Sequence, residues 1–163
     1  MAYSRNRSLI AATFVLTTCA VHSARATEPP DDLCSLLPAA EVSKTLGRAY
    51  DSPQKSVAPR PYANTAEGTD CNYPGKEGSK LWFRAYVDPS PSAAADLFAR
   101  LGKFYSPQAP VPGLGDEAYF DPAHALHVRK GKVRFYINLE PMNFSPATEK
   151  HLKDLASQVT GRL

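Results

Sequence analysis

Between Leu81 and Asp88, apolar Leu81, Phe83, Ala85 and Val87 alternate with Trp82, Arg84, Tyr86 and Asp88. Between Val133 and Leu139, apolar Val133, Phe135, Ile137 and Leu139 alternate with Arg134, Tyr136 and Asn138. A two-residue period sends successive side chains to opposite faces, so each stretch predicts a strand with one apolar and one polar face. Leu126 to Arg129 precedes the second stretch, and Lys130-Gly131 supplies the glycine that a tight hairpin turn requires. Pairing Arg129 with Lys132 sets Val128 against Val133 and Leu126 against Phe135, which keeps the apolar side chains on one face. Glu117 to Phe120, ahead of the turn at Asp121-Pro122-Ala123-His124, predicts a further strand. Cys71-Asn72-Tyr73, closed by Pro74-Gly75, predicts a short one.

Elsewhere the spacing is three and four. Leu33, Leu36, Leu37, Ala40 and Leu46 give one apolar stripe, with Pro38 at the first helical position, Glu41 in the first turn and Gly47 at the end. Ala94, Leu97, Phe98 and Leu101 mark a helix within Ser92 to Tyr105 that is expected to stop near Gly102. Ser145-Pro146 opens a last helix, whose core stripe is Leu152, Leu155, Ala156 and Val159 and which reaches Gly161. From Asp51 to Asp70 the prolines at 53, 59 and 61 deny a regular ladder. A loop of that length holds a short edge strand, is mobile, or shapes a site. The order helix, strands, helix, strands, helix predicts a single α+β domain: an antiparallel sheet packed with about three helices, compatible with two loosely repeated helix-plus-strands halves.

The N-terminus reads differently. Arg5 and Arg7 make a basic start, Leu9 to Leu16 is apolar, and Ala24-Arg25-Ala26 has the small-x-small pattern of a cleavage site. Residues 1–26 are therefore expected to be a signal peptide, 27–32 a flexible lead-in, and 33–163 the domain. The apolar run falls short of the ~20 residues that span a bilayer. A second cut before Cys19 would give a lipid anchor, but Thr18 matches such a signal poorly, so an unlipidated periplasmic or secreted product is expected.

Processing changes the charge picture. The whole chain carries 19 basic and 16 acidic residues, and Arg5, Arg7 and Arg25 all lie within the first 26 residues while no acid does. The remainder is neutral, which removes the excess positive charge on which nucleic-acid binding rests. Loss of Cys19 leaves Cys34 and Cys71, a pair expected to form a structural disulfide in an oxidising compartment.

Several segments resemble a known group. Cys34-Ser-Leu-Leu-Pro-Ala-Ala-Glu-Val42, Leu46-Gly47, Cys71-Asn-Tyr73, Pro112-Gly-Leu-Gly-Asp-Glu-Ala118 and Leu126-His-Val-Arg-Lys-Gly131 together resemble the small exported bacterial "Cys-Ser-Leu-Leu" envelope proteins and lipoproteins of unknown function. Those in turn are similar to extracellular sensor domains of bacterial Ser/Thr kinases. The chain departs from their pattern at Pro38-Ala39, where an N-capping Thr followed by Pro is usual. The resemblance implies a helix-backed antiparallel sheet and an envelope location, and it carries no catalytic residue.

Chemistry is sparse. Gly113-Leu-Gly115 leads into a strand, whereas phosphate loops open onto a helix N-terminus. Asp116-Glu117 reads as an exposed turn. His124 and His127 do not share a face, so no metal site and no cofactor are expected. No serine sits in a nucleophile elbow. What remains is the polar face of the sheet: Trp82, Arg84, Tyr86, His127, Arg129, Arg134, Tyr136 and Asn138. This aromatic and basic set suits an anionic or sugar ligand, or an envelope protein partner, bound by stacking and charge-assisted hydrogen bonds. The expected function is a non-catalytic binding or sensor module. A small exported hydrolase would need carboxylates or His127 to meet in a cleft, and a structural envelope protein is the third reading.

Overall fold

A computed structural model describes residues 28–105, 109–141 and 145–163. The expected signal peptide, residues 1–26, and Cys19 with it, lie outside the described residues. Alternating apolar positions organise one antiparallel sheet of seven strands: β1 (Gln54–Ala58), β2 (Gly68–Pro74), β3 (Lys80–Val87), β4 (Ala109–Pro110), β5 (Glu117–Phe120), β6 (Leu126–Lys130) and β7 (Val133–Glu140). Their order is β1-β2-β3-β7-β6-β5-β4. Two meanders therefore meet at the centre, where β3 pairs antiparallel with β7 and Phe83 lies opposite Ile137. The α+β single-domain architecture is as the sequence pattern implies.

Helices α1 (Ala39–Leu46) and α3 (Pro146–Thr160) cover the apolar face. The main core holds Leu81, Phe83 and Ala85 of β3, Phe135 and Ile137 of β7, and Leu152, Leu155, Ala156 and Val159 of α3. Helix α2 (Pro91–Phe104) buries Ala94, Leu97 and Phe98 on the other side, against the polar face. It carries the chain from the central β3 to the far edge at β4, so it has to cross one face of the sheet. Ser90 and Ser145 cap α2 and α3 by accepting from the Ala93 and Thr148 amides, each followed by proline at the first helical position.

The Cys34–Cys71 disulfide is formed, joining the segment before α1 to the middle of β2. Beside it the Tyr73 hydroxyl donates to the Leu37 carbonyl at 2.5 Å. The lead-in is tied at two points, Glu28 to Lys132 and Asp32 to Lys55.

Four local expectations are corrected. Pro38 is the N-cap of α1, not its first residue, and Leu33–Leu36 forms a separate 3-10 turn capped by Asp32. Ala40 is exposed and Val42 takes its place in the core, because the true helix phase starts at Ala39. Helix α2 continues past Gly102 to Phe104. The β6–β7 register is slid by two residues: Val128 faces Phe135 and Leu126 faces Ile137. The loop residues are Gly131-Lys132, with Gly131 at φ 56°. A slip of two preserves which face each side chain occupies, so the apolar pattern alone does not choose between the registers. The choice comes from outside the hairpin, where the Asp116 carboxylate accepts from the Gly131 amide at 2.7 Å and from Arg129 at 2.8 Å.

The long segment after α1 proves to hold an edge strand, β1, and its remainder, Pro59 to Tyr62, folds over the polar face of the sheet.

Candidate functional site

Cross-strand pairing assembles the polar face into rows. One row runs Tyr119, His127, Tyr136, Arg84, Asp70 across five strands, each residue directly opposite the next. The neighbouring row sets Arg129 beside Arg134 and Arg134 beside Tyr86. At the centre, arginine and tyrosine thus alternate in both directions. Arg84 lies over the Tyr136 ring at 5.4 Å and Arg134 over the Tyr86 ring at 5.0 Å.

Both guanidiniums are held from the side. Asp70 engages Arg84 through Nε and Nη2, the latter at 2.8 Å. Asp88 engages Arg134 through Nε and Nη2, the latter at 3.0 Å. These fork-to-carboxylate pairs fix the planes of the two arginines, and they leave each Nη1 edge outside the carboxylate contact. The hydrogen bond to Asp70 raises the Arg84 pKa against the opposing effect of burial.

His127 is the second focus. Its Nε2 lies 2.8 Å from Asp121 Oδ2, while Asp121 Oδ1 accepts from the Ala125 amide at 2.9 Å. The imidazole stacks on Tyr119 at 4.9 Å between centroids, and Tyr136 and Tyr105 close around it at 5.3 and 5.4 Å. Burial works to raise the Asp121 pKa, but the bonds from His127 and the Ala125 amide outweigh it and hold the carboxyl below its usual range. Burial pushes the Tyr136 phenol up to about 12, only partly offset by Arg84, and it raises Tyr86 and Tyr119 as well.

Helix α2 covers only part of this face. Between it and the Pro59–Tyr62 segment lies a cleft of about 520 Å³, a size common for small-molecule sites. Arg84, Tyr86, Arg134, Tyr136, His127 and Asn138 form its floor; Phe98, Leu101 and Phe104 of α2, with Tyr105 directly after it, form one wall and Tyr62 the other. Arg100 of α2 reaches over the Tyr62 ring at 4.4 Å, and the Tyr86 hydroxyl donates to the Pro59 carbonyl at 3.0 Å, so both walls are anchored.

Of the eight residues singled out from sequence, six therefore meet in the cleft. Trp82 and Arg129 do not line it. Arg129 is taken up by Asp116 and Glu117, both at 2.8 Å. The face is also less open than an uncovered sheet: Arg134, Tyr86 and His127 are buried. Sequence reasoning missed the two walls and the carboxylates. Asp70 was within reach, since a strand that points Cys71 and Tyr73 inward must point Asp70 toward Arg84.

His127 and Asp121 do meet in a cleft, the condition set for a hydrolase. Yet among the described residues no Ser, Thr, Cys, Lys or Glu lines it, and burial pushes Tyr86 and Tyr136 away from ionisation. Among the described residues no cluster of three or more His, Cys, Asp or Glu is placed to hold a metal, and no helix is long and apolar enough to cross a membrane. In comparisons with known proteins, no family model, no curated protein and no solved structure matches the chain.

Proposed function

We propose that the protein is a non-catalytic binding module of the bacterial envelope or its exterior, and that the cleft between α2 and the Pro59–Tyr62 segment is its ligand site. The carrying observation is the floor of alternating Arg84, Tyr136, Tyr86 and Arg134, with both guanidinium planes fixed by carboxylates. Fixed donors beside aromatic faces lose little freedom when a ligand arrives, which is the economical way to bind without chemistry. A concave site of this size, with stacking surfaces and a few convergent polar groups, suits a small molecule better than a flat protein surface.

The His127–Asp121 pair supports a hydrolytic reading only weakly. The imidazole is packed among three tyrosine rings, and the one nitrogen seen to bond is bonded to the carboxylate. Its role here is to lock the cleft's floor.

A plugged cleft tests the proposal. Leu101→Trp places a large ring in the cleft from its wall. Small molecules retained by the wild-type protein from envelope extract, identified by mass spectrometry, are expected to be lost from a Leu101→Trp protein that melts normally. The same retained set on both proteins would rule the cleft out as the site.

A further inference from the structure

We propose that the cleft's ligand is an uncharged saccharide rather than an anion, an inference that rests on the cleft being the binding site. Three arginines line the cleft, and each has a carboxylate: Arg60 with Glu67, Arg84 with Asp70, Arg134 with Asp88. For the innermost pair both side chains are almost fully buried, at 4% and 1% exposure. An arriving anion would gain little attraction from a guanidinium already neutralised at contact distance. It would also be desolvated beside Asp70, Asp88 and Asp121, which repel it.

The same pairs nonetheless leave donors. Each carboxylate uses Nε and Nη2, so the Nη1 edges of Arg84 and Arg134 keep N–H groups directed elsewhere, in planes that cannot rotate away. Immobile donors whose charge is balanced by a carboxylate at contact distance match neutral oxygen acceptors, and a ligand lacking such acceptors would leave them unpaired at a cost. Between these donors lie the rings of Tyr86 and Tyr136, with Phe104 and Tyr105 on the facing wall. A pyranose combines the two demands: a C–H face that packs on an aromatic ring, and oxygens around its rim that reach the guanidinium edges. The Asp121 carboxylate, with a lone pair beyond those engaged by His127 and the Ala125 and Ala123 amides, can accept from a sugar hydroxyl.

The test is calorimetric titration of the full mature protein with two disaccharides of similar size, neutral diacetylchitobiose and doubly acidic digalacturonate. The neutral sugar is expected to bind at least about tenfold more tightly. Asp70→Asn, which uncovers the Arg84 charge, should shift the ratio toward the acid by a similar factor. If that variant does not fold, Glu67→Gln, at the exposed Arg60 pair, should shift it in the same direction. Equal or tighter binding of digalacturonate to the wild type overturns the inference, as does failure of diacetylchitobiose, maltose and cellobiose all to bind. In the last case the Leu101→Trp comparison separates the two claims: extract ligands still lost on plugging leave the site standing and only the saccharide class refuted.

Discussion

Arg134 shows how burial turns a surface-looking residue into a structural one. In an alternating strand it reads as solvent-facing, yet it is buried in the floor of the cleft and Asp88 neutralises it. Arg134→Ala strands a buried carboxylate, and is expected to cost about 3–5 kcal/mol in denaturant unfolding. Lys150→Ala, which breaks the exposed pair with Asp154, is expected to cost about 0.5 kcal/mol or less. Tyr119 behaves oppositely. Its hydroxyl is buried with no hydrogen-bond partner among the described residues, so Tyr119→Phe is expected to be neutral or stabilising by about 1 kcal/mol in the same measurement.

Ionisation at single residues adds a pH dependence with two limbs. Tyr136 titrates near 12 when folded, and Tyr86 and Tyr119 are also raised, against about 10 when unfolded. Above about pH 10 the unfolded chain releases protons that the folded one keeps. Stability from these groups is thus full below about pH 10 and is lost as pH rises toward the folded values. Asp121 lies below its usual range, so its contribution is present above about pH 4 and is lost as pH falls through the folded value. Urea midpoints across pH are expected to fall at both ends, with the acid limb shallower in Asp121→Asn. A midpoint that stays level between pH 9.5 and 11.5 would contradict the tyrosine assignment.

At the scale of elements, the strands were legible because alternation survives any even slip in pairing. The same property hid the hairpin register, which Asp116 decides by gripping the Gly131 amide from the β5 side. Gly115 makes that approach possible: a Cβ there would stand 2.5 Å from the Arg129 carbonyl, and its φ is 61°. Phe135 is buried against Phe83, with ring centroids 5.6 Å apart. Phe135→Ala is expected to cost about 3–5 kcal/mol in unfolding free energy. A cost under about 1 kcal/mol would mean the two faces of the sheet are exchanged. Edge strand β1 was not legible, since Gln54, Lys55, Ser56 and Val57 are all exposed and so show no apolar alternation. Which face α2 would cross was equally hidden: its stripe of Ala94, Leu97 and Phe98 fits an apolar sheet face as well as the aromatic one it covers.

For the whole molecule, two meanders joined at β3 and β7 need three helices to shield two faces, and the shielding is uneven. Helices α1 and α3 seal the apolar face; α2 alone leaves a cleft on the other, and the floor of that cleft was largely readable from strand parity. Its walls were not, because they come from a proline-rich segment and a helix whose positions depend on tertiary packing. The single described disulfide closes a 37-residue separation within the core on the other face of the sheet. Its reduction is expected to lower stability by about 4 kcal/mol on the chain-entropy account.

That the half-covered face is a binding cleft can be read from NMR of protein with 13C-labelled tyrosine rings during titration with a neutral disaccharide or with ligand recovered from extract. Tyr62, Tyr86, Tyr105 and Tyr136 line the cleft, while Tyr50 and Tyr73 belong to the core on the other side of the sheet. The account predicts saturating shifts in the first four and stationary resonances from Tyr50 and Tyr73. Shifts of equal size in both sets, or none in the cleft with a ligand that demonstrably binds, would contradict it.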